Sequence, residues 1–261
     1  MSTRGDANPQ IHYVIELQYS GLEVRLLLNG IEIVLGTQSE RKIVQQKVNG
    51  WLTNRPNDLV LYAGIPDPAH VNAPLDLKCL VFRGPHGRQP EESEALARFA
   101  ERGKAKLPAG AMQVVWNTSF ASDPYYGPWR WEAGRNVASD AASAAGAMEV
   151  VPDVIVALNG HNTEALARIF NVYIEENARA YGMKVERVEE QLAGWCESWT
   201  PVPPRNLALE QYSLTVEGGQ RLLRIERKDG SPLFTADPKS PGSGPRKVYC
   251  ARLGEGLVIV R

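Results

Sequence analysis

Residues 11–36 read IHYVIELQYSGLEVRLLLNGIEIVLG, and this stretch decides the fold of the first half of the chain. Tyr13, Ile15, Leu17 and Tyr19 alternate with His12, Val14, Glu16 and Gln18. Beyond Gly21, Leu22, Val24, Leu26 and Leu28 alternate with Glu23, Arg25 and Leu27. Successive side chains leave a strand on opposite faces, so a period of two marks strands with one face buried. Asn29-Gly30 separates the second run from Ile31-Glu32-Ile33-Val34-Leu35. Both central residues of a type I′ turn need positive φ, which Asn and Gly tolerate best, so the spacing predicts a hairpin there. Three strands therefore open the chain.

Outward from that hairpin the pattern stays strand-rich. Residues 41–52 fit a strand or a short turn of helix, Arg55-Pro56-Asn57-Asp58 makes a turn, and Leu59 to Ala63 is short and apolar. Asp76 to Arg83 places Leu77, Cys79 and Val81 on one strand face, and Met112 to Phe120 is again strand-like. Between them EESEALARFAER, Glu91 to Arg102, is expected as a helix. Ser93 would cap it, acidic residues fill its first turn, and Arg98 and Arg102 fall near its end, an order that suits the macrodipole.

Composition then shifts twice, from the aromatic- and proline-rich SDPYYGPWRWEAG to the small, helix-permissive NVASDAASAAGAM. A domain boundary is expected between 133 and 150. The expected division is a β-rich, sandwich-like domain with one helix over 1–135 and an α+β domain over 136–261.

The second part has a different grammar. Pro152 suits a first helical turn, so VPDVIVAL is expected as a short helix ending at Asn159-Gly160. Thr163 to Tyr181 carries Leu166, Ile169, Phe170, Tyr173, Ile174 and Ala178 at helical spacing, with Gly182 as its stop. Val185 to Trp199 continues with Val188, Leu192, Trp195 and Trp199 on one stripe, until Thr200-Pro201-Val202-Pro203-Pro204 breaks it. Short strands follow at 212–216, 221–227, 232–235, 248–252 and 257–260, with turns at Gly218-Gly219 and Asp229-Gly230 and a loop over Lys239 to Arg246. Helices followed by an antiparallel meander predict an α+β domain with its helices on one face of a curved sheet.

The 261 residues are 43% hydrophobic and 23% charged, with 29 Lys+Arg against 30 Asp+Glu. That is ample for folded cores and unlike a disordered chain. No basic excess marks a nucleic-acid binder. No secretory segment opens MSTRGDANPQ, and no run near the ~18 apolar residues of a membrane span is evident. The three cysteines, Cys79, Cys196 and Cys250, are odd in number and far apart, which fits a reducing compartment better than a disulfide framework. A cytoplasmic location is expected. Asn117-Thr118-Ser119 matches a glycosylation acceptor and, with no export signal, is read as chance.

Catalytic patterns are sparse. His12, His70, His86 and His161 stand singly, with no His-x-x-x-His, Cys-x-x-Cys or Glu-x-x-His pair, so neither a metal nor another cofactor is expected. Gly242-Ser243-Gly244 lacks the strand–turn–helix context of a nucleophile elbow, and Gly254-x-Gly256 runs into a strand without opening a helix. Cys196 between Trp195 and Glu197 reads as a structural thiol, as do the strand residues Cys79 and Cys250. The chain is therefore expected not to be an enzyme.

Two features point to binding. Helical spacing puts Glu186, Glu189 and Glu190 opposite Leu192 and Trp195, giving either a solvated face or an acidic surface for a basic partner. Trp116, Tyr125, Tyr126, Trp129 and Trp131 cluster, with Trp51 earlier; Trp129 and Trp131 could anchor a partner, bind glycan, or fasten the linker. Trp195, Trp199 and Tyr212 could line a small-molecule pocket.

The helices through Tyr181-Gly182, then YSLTVEGGQRLLRIERKDGSPLF and the closing VYCARLGEGLVIVR, resemble the NTF2-like or cystatin-like cone. The first half resembles the small β-sandwiches that bacteria place before it. Together they resemble two-domain cytoplasmic immunity proteins of Gram-negative bacteria that neutralise type VI secretion nuclease effectors. That resemblance implies a non-catalytic partner of a toxic protein, contacting neither nucleic acid nor membrane directly. Enzymes of the NTF2-like group usually place an Asp/His pair in the cone; here the corresponding strands offer Tyr212, Tyr249 and Arg252 instead. The alternatives are a ligand-binding or enzymatic NTF2-like protein, a carbohydrate-binding module, and an effector chaperone.

Overall fold

Asn29 and Gly30 adopt φ of 54° and 73°, both in the left-handed region a type I′ turn requires. The turn joins β2 (Leu22–Leu28) to β3 (Ile31–Gln38). It is held from outside by its own side chain: Asn29 Nδ2 donates to the Trp51 carbonyl at 2.8 Å and to Asn57 Oδ1 at 2.9 Å. The computed structural model describes residues 10–38, 41–66, 75–85, 91–103, 107, 110–138, 141–200, 211–231, 233, 234, 245 and 247–261. It divides into two compact units, Met1–Gly127 and Pro128–Arg261.

In the first unit β1 (Ile11–Ser20) and β2 are consecutive yet lie in different sheets. Gly21 between them has φ 68°, the left-handed corner that takes the chain from one layer to the other. The remaining strands are β4 (Lys42–Lys47), β5 (Asn57–Gly64), β6 (Leu75–Pro85), β7 (Ala97–Gly103) and β8 (Gln113–Phe120). One antiparallel sheet runs β4-β1-β6-β7 and the other β3-β2-β5-β8. The alternating residues of 11–28 face a shared core: Tyr13, Ile15, Leu17 and Tyr19 meet Leu22, Val24, Leu26 and Leu28, with Leu59, Leu61, Leu77, Cys79 and Val81. Each such side chain contributes about 1.5–3 kcal/mol by burial.

The second unit carries α1 (Ala141–Asn159), α2 (Thr163–Ile169), α3 (Asn171–Tyr181) and α4 (Val185–Glu197), then β9 (Tyr212–Glu217), β10 (Leu222–Arg227), β11 (Lys247–Leu253) and β12 (Gly256–Ile259). The four strands form an antiparallel meander in the order β12-β11-β10-β9. Its core joins Leu223, Ile225, Val248, Cys250 and Ile259 of the sheet to Val151, Val154, Leu166, Phe170, Val188, Leu192 and Cys196 of the helices. The architecture is thus α+β, built from three antiparallel sheets and the helices of the second half.

Four expectations need correction. The helix expected over Glu91 to Arg102 is a 3₁₀ turn at Glu92–Glu94 followed by strand β7. Glu91 and Glu94 form its capping box, so Ser93 is not the cap. Pairing with β6 wins because it satisfies that strand's backbone groups and brings Ala97 and Phe99 onto the core. Both arginines meet acids: Arg98 pairs with Glu92 of the preceding turn at 2.8 Å, and Arg102 with its cross-strand neighbour Asp76 at 3.2 Å.

The helix expected to start near Pro152 begins at Ala141 and contains Pro152 in its interior. An alanine-rich first half favours helix, and burial of Val151, Val154, Ala157 and Leu158 offsets the lost backbone bond. The single helix expected over 163–181 is α2 and α3, separated at Phe170, where φ −95° and ψ 13° depart from helix. Of the strand expected at 232–235, Pro232 and Thr235 lie outside the described residues; Leu233 and Phe234 form a bend buried in the core, with the Leu233 N–H donating to the Pro245 carbonyl at 2.9 Å. The loop expected at 239–246 and the breaker at 201–204 lie outside the described residues, apart from Pro245.

Candidate functional site

Helix α4 is amphipathic because Val188, Leu192 and Cys196 recur at helical spacing and are buried. That registration turns Glu186, Glu189 and Glu190 outward, and all three are exposed. Glu186 lies in the first turn, where it complements the helix dipole. Glu190 pairs with Arg187 at 3.0 Å, but both side chains are about two-thirds exposed and the bond contributes little. Among the described residues Glu186 and Glu189 have no ion-pair partner. Glu186 and Glu190, four apart on one face, repel by a few tenths of a kcal/mol.

On the other side of α4 from that face lies a hollow of about 220 Å³ lined by Tyr173, Val188, Gln191, Leu192, Trp195 and Pro245. Its wall is an aromatic cluster. Trp195 meets Phe170 and Trp199 edge-on, each with ring centroids 6.2 Å apart, and Phe234 at 6.0 Å. Burial pushes the Tyr173 phenol up, with Arg261 acting against it. The Trp195 indole Nε1 is buried with no hydrogen-bond partner among the described residues. Of the aromatics named for a pocket, Trp195 lines the hollow. Trp199 is buried and donates to Asn159 Oδ1 at 3.0 Å, and Tyr212 is buried in the core.

Trp129 and Trp131, expected as partner anchors, need correction: they are 1% and 3% exposed. Trp129 is approached by two guanidiniums, Arg179 at 4.8 Å and Arg261 at 5.2 Å from its ring centroid. Below it Glu176, 2% exposed, accepts from Arg261 Nη1 at 2.8 Å and from the Arg130 backbone N–H. Arg130 also pairs with Glu175. These rings are spent on the second unit's own packing.

No family model, no curated protein and no solved structure matches the chain. The site rests on its own chemistry.

That chemistry offers surfaces for binding. All three thiols are free and buried. Burial pushes Cys250 up to about 12 and raises Cys79 and Cys196 as well, so the thiolate is disfavoured at each. His161 Nδ1 lies 2.9 Å from the Cys196 carbonyl, which fixes that ring, and His12 is buried. His70, His86 and the Gly242-Ser243-Gly244 stretch lie outside the described residues. Among the described residues no three His, Cys, Asp or Glu side chains are grouped to hold a metal ion. Among the described residues one helix, over Ala142–Asn159, is long and apolar enough to cross a membrane by length and composition, a feature concealed by reading its start at Pro152.

Proposed function

We propose that this chain is a non-catalytic binding protein that neutralises a basic partner, as an immunity protein does with a toxic nuclease effector in the cytoplasm of the producing cell. The observation that carries the reading is the exposed acidic face of α4, Glu186, Glu189 and Glu190, and on the opposite side of the same helix lies a hollow large enough for one side chain. Protein interfaces concentrate their energy in a few anchors seated in such hollows, ringed by polar residues. A nuclease groove is basic, so Glu186, Glu189 and Glu190 would steer it, and the hollow between Tyr173 and Trp195 would take a separate apolar or aromatic anchor. The helix-then-meander order of the second unit supports its assignment as NTF2/cystatin-like, and the two layers of the first support a β-sandwich.

A small-molecule reading has the same hollow in its favour. At about 220 Å³ it falls below the ~300–1,000 Å³ typical of ligand pockets, which favours a protein's side chain over a metabolite.

The test is affinity capture from the native host, with the wild-type chain and with Glu186→Lys/Glu189→Lys/Glu190→Lys. A stoichiometric basic companion that the triple variant loses, with an attraction that weakens in salt, is the expected result. Deleting the chain should then poison its own cell, which a chaperone role would not produce. The reading fails if capture and its salt dependence are the same for both proteins.

A further inference from the structure

The outward side of α1 and α2 forms a second, separate surface. A groove of about 600 Å³ is lined by Asp153, Val156, Ala157, Gly160, Asn162, Ala165, Arg168 and Ile169. Val156 stands 70% exposed within it, the most exposed large hydrophobic side chain among the described residues. The helix that carries it has a mean hydropathy of 1.3 over 18 residues, of which only 35% is buried. The exposed residues of that helix include Glu149, Asp153 and Val156, so Val156 is the large apolar projection of its outer side. Asp153 and Arg168 carry opposite charges in the same groove, and among the described residues neither has an ion-pair or hydrogen-bond partner.

One groove therefore holds a projecting apolar knob, space to receive one, a free carboxylate and a free guanidinium. We propose that its occupant is the same groove of a second copy of this chain. In a two-fold dimer each residue contact occurs twice, residue i to j and j to i. Asp153 of one copy then meets Arg168 of the other at two symmetric points, while Val156 of each enters the opposite groove. A basic partner would satisfy Asp153 and leave Arg168 facing like charge, and an acidic partner the reverse. A self-pair satisfies both. This surface is distinct from the acidic face of α4, and the inference stands independently of the proposed function.

The test uses the purified full-length chain in sedimentation velocity over a wide concentration range. Wild type is expected to pass from one chain to two. Asp153→Arg and Arg168→Asp should each raise the dissociation constant about a hundredfold or more, since each reversal creates two like-charge contacts, and Val156→Glu should do so by placing an unpaired carboxylate in each apolar contact. All three positions are partly or fully exposed to solvent, and far-UV circular dichroism checks that the folds persist. The decisive arm mixes Asp153→Arg with Arg168→Asp. Each alone is repelled from itself, but the mixed pair restores both salt links, so a heterodimer should form. The proposal is overturned by a monomer at every concentration, by a dimer indifferent to the reversals, or by failure of the mixture to associate. A monomer that co-sediments with phosphatidylcholine vesicles would also overturn it and assign the face to a membrane.

Discussion

Glu176 and Arg261 show what a buried charge asks of its neighbours. Arg261 is nearly fully enclosed, and desolvation lowers its proton affinity against the opposing pull of Glu176. Trp129 covers it, and Glu176 divides its oxygens between Arg261 and the Arg130 N–H. Removing one member strands the other, so Glu176→Gln should cost about 3–5 kcal/mol, read as a lower denaturant midpoint for the second unit at unchanged slope. The tryptophan cluster announced itself in the sequence, but its burial did not. The guanidiniums that stack on Trp129 come from Arg179 and Arg261, distant positions that only the fold brings together. The acidic face of α4 was legible for the opposite reason, since its residues share one helix with the apolar stripe that orients it. The hollow on the opposite side of that helix was not legible, because Tyr173 and Pro245 come from elsewhere in the chain.

The thiols give a second prediction at this scale. Burial raises the folded-state value of Cys250 from 9.0 to about 12. Below pH 9 the thiol is neutral in folded and unfolded chains alike, and its contribution is fully present. Above 9 the unfolded thiol ionises first, so the contribution falls as pH rises and is lost by about 12. Stability should therefore decline with pH across that window, with Cys250→Ala or Cys250→Ser flattening the slope. A chromogenic disulfide reagent should find the thiols unreactive in the folded chain and reactive in denaturant. Prompt reaction of the native protein would contradict the burial argument.

Among elements, the two that depart most from expectation explain each other's physics. The segment 91–102 has a helix's charge order, yet Ala97-Arg98-Phe99-Ala100 also alternates, and the open edge of β6 decides between the two patterns. Pro152 suggests a helix start, yet it is carried inside α1 because packing outweighs local preference. Replacing it should expose the cost: Pro152→Ala ought to stabilise the second unit by about 1–3 kcal/mol, since the residue lacks an N–H for the helix ladder. An unchanged or lower melting temperature would mean that Pro152 relieves a strain elsewhere in α1. Turn elements were read more securely, since Asn29-Gly30 and Gly218-Gly219 state their backbone demands in their own residue types.

At the scale of the whole molecule, the two cores share no residue. The first draws on Tyr13 to Phe120, and the second on Val137 to Ile259. A unit with its own core and closed sheet pairing carries its own free energy of folding, so fragments 1–127 and 128–261 should each fold alone. Dispersed amide spectra and a cooperative urea transition from each would establish it; a disordered spectrum from either would sink it. Point substitutions give a check on the intact chain. At Gly64 an added Cβ would lie 2.4 Å from the Ala111 carbonyl oxygen, a backbone atom that cannot step aside, so Gly64→Ala should cost the first unit about 1–3 kcal/mol. Glu176→Gln acts only on the core of the second. In the intact chain Gly64→Ala should lower the transition of unit 1 and leave that of unit 2 in place, with Glu176→Gln doing the converse, provided each is followed by a probe within its own unit. If either substitution moves both transitions equally, the two cores fold as one cooperative system and the independence inferred from their separate packing is wrong.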